Sequence, residues 1–198
     1  MSEESKEKLS VFLQKFELLS NEEIAAFIEA FEEVRVKKRQ YIVQPGFTTK
    51  HKHYVVKGAF RSFVIGDKGS DHTISFAIED WWISDYNSFI YQRPATMFVV
   101  ALEDSIILKI SYEKEKALCR SNHNIESLIR KMAERGLAFQ QRRMISNLTQ
   151  SAEKRYDLFM EKYPQVAARM PQYALASFLG MTTEFLSKIR NNKVKKRG

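Results

Sequence analysis

The chain is poor in cysteine, glycine and proline, and it contains no long hydrophobic run. Cys119 is its only cysteine, which excludes an internal disulfide and a four-cysteine iron–sulfur cluster within one chain. The seven glycines are scattered, and none belongs to a glycine-rich loop of the kind that cradles phosphate. No apolar run approaches the roughly 20 residues that cross a bilayer, and the acidic N-terminus has no features of a secretion signal. We therefore expect a cytoplasmic protein with no membrane contact.

The residue spacings of catalytic and metal sites are missing as well. No arrangement of Ser, His and Asp suggests a nucleophile, so we predict that the protein is not an enzyme and has no catalytic residues. We also predict no metal and no evident cofactor, because the histidines lack the spacing of metal ligands. The histidines, all interpreted as surface residues, are His51, His53, His72 and His123.

Positive charge is concentrated in the C-terminal part of the chain. The formal net charge is +8, yet residues 1–33 contain three lysines against nine glutamates. Residues 120–198 contain sixteen Lys and Arg against six Asp and Glu. This asymmetry indicates a C-terminal part that faces nucleic acid and a separate N-terminal unit.

Residues 170–190 have the pattern of two short helices joined by a tight turn. Pro171 suits the start of the first helix, Gly180 suits a left-handed turn, and Thr182 is a good N-cap for the second helix. The pattern predicts a helix-turn-helix, whose second helix enters the major groove of DNA. An ordinary two-helix corner is the alternative. The inner apolar positions are predicted to be Ala174, Leu175, Phe178, Phe185, Leu186 and Ile189.

The outer face of the second helix supplies the predicted DNA contacts. Glu184 can accept from cytosine N4, and Lys188 can donate to guanine O6 and N7. Ser177, Ser187 and Arg190 are better placed to hold phosphates. The basic run over residues 188–197 suits counterion release from the duplex. The predicted DNA-binding residues are Thr183, Glu184, Ser187, Lys188, Arg190 and Ser177.

Upstream of the turn, the sequence divides into helical, β-rich and helical parts. Residues 5–33 have helical apolar spacing interrupted by the capping sequence Ser20-Asn21-Glu22-Glu23. Short β-rich runs at 39–43, 54–56, 60–65, 73–78, 97–102 and 106–110 alternate with turn residues, which predicts a β-barrel or roll. We expect a sensor roll with N-terminal helices at 1–123, a long helix at 124–148 and a DNA-binding domain at 149–198.

The long helix predicted at 124–148 would span roughly 37 Å, more than one small domain needs to cover its core. Gly136 would permit close approach of a second helix. Such a helix often docks against a symmetry mate, and a two-fold dimer suits operators made of two half-sites. The alternative is a helix that packs only within its own chain.

The order of these parts resembles that of Crp/Fnr-type transcription regulators. The resemblance implies an α+β fold: an N-terminal cyclic-nucleotide-binding-like β-roll, a long dimerisation helix and a C-terminal helix-turn-helix DNA-binding domain. It implies a homodimeric, sequence-specific transcription regulator, with double-stranded DNA and RNA polymerase as partners. The best local matches are Gln44-Pro45-Gly46, Val56-Lys57-Gly58-Ala59-Phe60-Arg61, Ala101-Leu102-Glu103-Asp104-Ser105 and Ser151-Ala152-Glu153-Lys154-Arg155-Tyr156.

The chain departs from relatives that bind cyclic nucleotides. Where they carry Gly-Glu and then Arg-Ser, this sequence has Ser84-Asp85 and Ala95-Thr96. The arginine that neutralises the cyclic phosphate is therefore absent, and a lost cation at an anion site is hard to replace. Arg93 is near, but Pro94 fixes the backbone between it and the matching position. We predict that cAMP is not bound and that the local aromatics Trp81, Trp82, Tyr86 and Phe89 fill the pocket.

We expect the roll to bind an effector whose identity the sequence does not give. Gln140 and Gln141 fall where some relatives close the long helix over a ligand. The candidate ligand-binding residues are Ser84, Asp85, Arg93, Thr96, Gln140 and Gln141. The chain stops eight residues after Arg190, so we expect a basic tail in place of a β-hairpin wing. The alternative function is a small-ligand-binding or protein-interaction module of the same fold with no DNA role.

Overall fold

The computed structural model describes residues 1–195, which form eight strands and nine helices. The strands are β1 (Glu32–Val36), β2 (Tyr41–Val43), β3 (His51–Lys57), β4 (Phe60–Ile65), β5 (Asp71–Ala77), β6 (Trp82–Ile83), β7 (Phe98–Ala101) and β8 (Ser105–Ser111). The helices are α1 (Glu3–Gln14), α2 (Asn21–Glu29), α3 (Tyr86–Tyr91), α4 (Tyr112–Ser121), α5 (His123–Thr149), α6 (Ala152–Lys162), α7 (Pro164–Arg169), α8 (Gln172–Phe178) and α9 (Thr183–Lys195). None of the helices over this range is long and apolar enough to cross a membrane.

The chain forms two compact units, each made of two segments. Among the described residues, the first unit contains 1–62 and 76–136, and the second contains 63–75 and 137–195. The far ends of β4 and β5 therefore belong to the second unit, together with the C-terminal half of α5.

Two four-stranded sheets make up the β-roll. Their strand orders are β1-β8-β3-β6 and β2-β7-β4-β5. The pairs β1–β8, β3–β8, β3–β6 and β2–β7 are antiparallel. The roll that the alternation of β-rich runs and turn residues predicted is therefore confirmed.

Residues 54–56 of β3 are apolar on both faces of the strand because each face meets a different core. Tyr54 and Val56 pack into a cluster with α1, α2 and the start of α5, which includes Leu9 and Leu128. Val55 points the other way, into the interior of the roll. Successive side chains alternate between the faces of a strand, so a continuous apolar run is the expected sequence for such a position.

The N-terminal helices end earlier than the sequence pattern predicted. Ser20 caps α2, and the reciprocal hydrogen bonds between Ser20 and Glu23 form the predicted capping box. The expected helix to residue 33 is wrong, however, because Glu32 and Glu33 lie in β1, paired with Lys109 and Leu108 of β8. Backbone pairing along β8 outweighs the helical preference of the two glutamates.

The second unit contains the helices that follow the roll. Ser151 caps α6, since its side chain accepts a hydrogen bond from the N–H of Lys154 at 3.3 Å. Phe159 and Phe178 pack together with ring centroids 5.5 Å apart. Val166 on α7 is 1% exposed, and Leu175 on α8 is fully buried. This core holds α8 and α9, which carry the predicted DNA contacts.

Candidate DNA interface and sensor pocket

A turn with a Schellman hydrogen-bond pattern joins α8 to α9. Gly180 has φ of +67°, a left-handed conformation that glycine adopts without a Cβ penalty. The N–H of Met181 donates to the carbonyl of Ala176 at 3.0 Å, and the N–H of Gly180 donates to that of Ser177 at 3.1 Å. These two bonds satisfy carbonyls that a helix end leaves open. The predicted turn at Gly180 is confirmed.

The start of α9 is fixed by a cap on one side and by apolar burial on the other. The Thr182 hydroxyl oxygen accepts from the N–H of Phe185 at 3.2 Å, a cap that contributes about 1 kcal/mol. Leu186 and Ile189 are buried, as predicted. Phe185 is not: its exposure of 41% contradicts the prediction that it lies on the inner face.

Arg155 holds the turn from the neighbouring helix α6. Its guanidinium donates to the carbonyls of Leu179 at 2.9 Å, Gln150 at 2.6 Å and Gly180 at 3.3 Å. Three bonds from one planar group lock the turn against the end of α5 and the start of α6. The sequence offered Arg155 only as part of a family-like segment, with no sign of this role.

The outer face of α9 carries one acid, Glu184, and one base, Lys188, near its start. The pKa of the Glu184 carboxyl is lowered, mainly because the carboxylate accepts a hydrogen bond from the backbone N–H of Glu184. A hydrogen bond from the Thr182 hydroxyl lowers it further. Glu184 is therefore ionised at neutral pH and acts only as an acceptor. Lys188 is exposed and makes no ion pair with any residue from 1 to 195, whereas Lys193 pairs with Asp157 at 2.6 Å. The predicted contacts of Lys196 and Arg197 lie outside the described residues.

Two of the predicted phosphate contacts use their hydroxyl protons within the chain. The Ser177 hydroxyl accepts from the N–H of Thr73 at 2.8 Å and donates to the carbonyl of Asp71 at 3.3 Å. The Ser187 hydroxyl donates to the carbonyl of Thr183 at 3.0 Å and accepts from the Gln172 amide. A phosphate oxygen accepts only, so neither serine can donate to it in this conformation.

Arg190, the third predicted phosphate contact, is half-buried against an aromatic ring. Its guanidinium carbon lies 5.9 Å from the centroid of the Tyr156 ring. A guanidinium at this distance is attracted to the face of the ring. Phosphate contact by Arg190 stays a prediction.

In the roll, the polar residues at the positions that match a cyclic-phosphate site are hydrogen-bonded within the first unit. Asp85 is fully buried, and its carboxylate accepts from the N–H of Ser88 at 3.0 Å as the N-cap of α3. The same carboxylate accepts from the N–H of Thr96 at 2.8 Å and from its hydroxyl at 3.3 Å. Ser84 donates to the carbonyl of His51 at 2.9 Å. The Asp85 carboxylate thus occupies one amide donor at the start of α3 and one in the segment after it.

The other three candidate ligand residues have exposed side chains. Arg93 is exposed in the first unit, with its guanidinium carbon 6.0 Å from the Tyr91 ring centroid. Gln140 and Gln141 are exposed on the part of α5 that belongs to the second unit. Contact of these residues with an effector stays a prediction.

The aromatic residues near α3 do not act as one group. Trp82 packs into the helical cluster, 5.5 Å from Tyr54 and 5.9 Å from Phe31 between ring centroids. Phe89 is 2% exposed and lies under the ammonium of Lys52, which is 4.8 Å from the ring centroid. Tyr86 is 45% exposed. The pocket-filling role predicted for all the local aromatics is therefore wrong for Trp82, which packs in the helical cluster, and for the exposed Tyr86.

One histidine prediction is also wrong. His53 is 5% exposed and its Nδ1 lies 3.3 Å from the carbonyl oxygen of Ile83. Burial lowers the pKa of His53 to about 4, so the ring is neutral at pH 7 and Nδ1 carries the donated proton. His53 and His51 line a cavity of about 290 Å³ beside β2 and β3. Residues 1–195 contain no group of three His, Cys, Asp or Glu side chains placed to hold a metal.

Comparisons with known proteins agree with this architecture. A model of the cyclic nucleotide-binding domain matches residues 33–122. FixK2 from Bradyrhizobium japonicum is similar over 84% of this chain and 85% of its own, with 15% identity and a TM-score of 0.74. The c-di-GMP responsive global regulator CLP from Xanthomonas campestris is similar over 89% of this chain and 93% of its own, with 15% identity and a TM-score of 0.70.

The β-roll alone is also similar to a domain of a protein kinase regulatory subunit. The regulatory domain of Toxoplasma gondii PKA is similar over 60% of this chain and 46% of its own, with 16% identity and a TM-score of 0.52. No curated protein sequence is significantly similar to the chain. Residues 33–122 thus match the cyclic nucleotide-binding domain, and the chain has the fold of the Crp/Fnr-type transcription regulators.

Proposed function

We propose that the chain is a cytoplasmic, homodimeric, sequence-specific DNA-binding regulator of transcription, with α9 as its recognition helix. The observation that carries the proposal is the fixed start of α9. The Thr182 cap and the glycine turn hold it, and Leu186 and Ile189 bury its inner face. Glu184 and Lys188 are left on the outside, where an acceptor and a donor suit a C·G base pair in the major groove.

A second copy of the chain is the partner that α5 fits best. Four large apolar side chains on the second unit's part of this helix are exposed: Leu137 at 71%, Met144 at 64%, Ile145 at 53% and Leu148 at 79%. Spacings of seven, eight and eleven residues put them on one stripe of the helix. A self-complementary stripe suits a two-fold dimer, and such a dimer reads an operator with two half-sites.

The roll is proposed to sense an effector other than cAMP. The Asp85 carboxylate is satisfied by Ser88 and Thr96, so a bound cyclic phosphate would have to displace a fully buried anion. Arg93 keeps an exposed polar group in the first unit and remains a candidate effector contact of the roll. RNA polymerase is included as the partner through which such a regulator would act.

The experiment is a selection of duplex sequences by the full chain, followed by fluorescence anisotropy over a range of salt concentrations. We expect a two-fold symmetric site whose affinity falls as salt rises. Lys188→Ala is expected to weaken binding by about 5- to 150-fold and to relax the preference at one base pair of each half-site. Lys38→Ala removes the same charge from an exposed position in the first unit and is expected to change affinity by less than about twofold.

Two outcomes would overturn the proposal. If no duplex is bound at moderate salt and a small molecule is recovered from the roll, the chain is a ligand-binding module without a DNA role. If Lys188→Ala and Lys38→Ala behave alike on a bound duplex, α9 is not the recognition helix.

A further inference from the structure

Phe185 is a large apolar side chain on the DNA-facing side of α9. Its exposure of 41% contrasts with the burial of its neighbour Leu186, which is inaccessible to solvent. Residues in a helix are separated by about 100°, so Phe185 lies about 60° around the helix from Lys188. The phenyl ring therefore extends the outer face that also carries Glu184.

Within residues 1–195, the Phe185 ring has no aromatic partner. The ring makes no aromatic or cation–π contact with the part of the chain that the structure describes. Other aromatic side chains of the same unit do pair, as Phe159 does with Tyr163 at 5.5 Å between centroids. The backbone N–H of Phe185 donates to the Thr182 hydroxyl at 3.2 Å, which fixes the residue at the start of α9. An exposed ring held at a capped helix start is preorganised for contact with something outside the chain.

The chemistry of the major groove identifies the contact. The 5-methyl group of thymine is the apolar group that base pairs present there, and phenylalanine is among the side chains that contact it. Glu184 and Lys188 beside the ring suit a C·G pair. We propose that Phe185 is a specificity-determining residue that reads the methyl group of a thymine adjacent to that pair. The proposal depends on the proposed function, because it needs α9 in the major groove.

Replacing thymine by uracil tests this directly, since the exchange deletes only the methyl group. The selected duplex is made with each thymine of the half-site replaced in turn, and binding to full-length protein is measured at fixed salt. The wild type is expected to lose about fourfold in affinity at one thymine, the effect of one buried methyl group. Phe185→Ala is expected to bind the thymine and uracil duplexes equally, and Phe185→Leu to regain part of the difference.

Phe47→Ala is the matched control, because Phe47 is a 70% exposed phenylalanine in the first unit. It is expected to keep the full difference between thymine and uracil. If the wild type binds no duplex, the proposed function fails. If it binds but Phe185→Ala still distinguishes uracil from thymine, Phe185 does not read the methyl group. A wild type that ignores every uracil exchange also overturns the inference, and would point to a protein partner for the ring.

Discussion

The guanidinium of Arg143 lies on the ring of Phe178, with its central carbon 4.2 Å from the ring centroid. The same guanidinium donates to the carbonyls of Ile74, Thr73 and Phe178. Arg143 therefore ties the end of the β4–β5 hairpin to α8 within the second unit. The hydrogen bond from the N–H of Thr73 to the Ser177 hydroxyl reinforces the same connection.

Arg143→Lys is expected to lower the free energy of unfolding by about 1 to 3 kcal/mol, because an ammonium cannot span three carbonyls or stack on the ring. Arg142→Lys is the matched control, since Arg142 is its exposed neighbour on the same helix. Urea denaturation measures the loss, and hydrogen exchange at residues 71–75 localises it. Equal stability of the two variants would show that Arg143 does not hold the hairpin.

The lowered pKa of His53 predicts how the free energy of unfolding depends on pH. Its folded pKa of about 4 lies below the ordinary value of 6.5, so the unfolded chain binds the proton more readily. The contribution of neutral His53 to the free energy of unfolding is fully present above pH 6.5 and decreases as the pH falls toward 4. Below pH 4 it no longer changes, because His53 is then protonated in the folded chain as well. The difference corresponds to about 3 kcal/mol.

His53→Asn isolates this contribution, because asparagine can still donate to the carbonyl of Ile83 but does not titrate. The free energy of unfolding of the wild type should fall more steeply between pH 6.5 and 4.5 than that of the variant. His123→Asn, at the exposed first residue of α5, should follow the wild type. Parallel curves for wild type and His53→Asn would contradict the buried, neutral state of His53.

Capping and turn residues in the sequence predicted the ends of helices correctly. The sequence did not predict contacts between residues that lie far apart along the chain. The capping residues Ser20 and Thr182 and the turn at Gly180 act on neighbouring backbone groups, so their residue types are sufficient evidence. The partner of Ser177 is Thr73, 104 residues away, and no local pattern reports it.

Short or edge elements were missed for a related reason. Strand β6 has two residues, too few to show an alternating pattern, and it exists because it pairs with β3. The helical spacing of apolar residues predicted that Phe185 lies on the inner face of α9, because Phe185 is close to the border of the apolar stripe. Its exposure depends on how α9 is rotated against its own unit, which the spacing of apolar residues does not fix to one residue.

The exposed stripe on α5 gives the last prediction. Leu148→Glu places a charge at the most exposed of the four stripe positions, 79% open in the single chain. In a two-fold dimer the substitution occurs twice, and each buried leucine contributes about 1.5 to 3 kcal/mol. We expect the dimer to weaken by about a hundredfold or more, which sedimentation equilibrium measures directly.

The matched control is Leu158→Glu, the same exchange at a 43% exposed leucine on α6 outside the stripe. It should leave the dimer intact. Affinity for a symmetric duplex should fall with Leu148→Glu and not with Leu158→Glu, since losing the partner removes one of two half-site contacts. A wild type that sediments as a monomer at micromolar concentration, and still binds a symmetric site tightly, would remove the second copy from the proposed function while leaving α9 as the reader of each half-site.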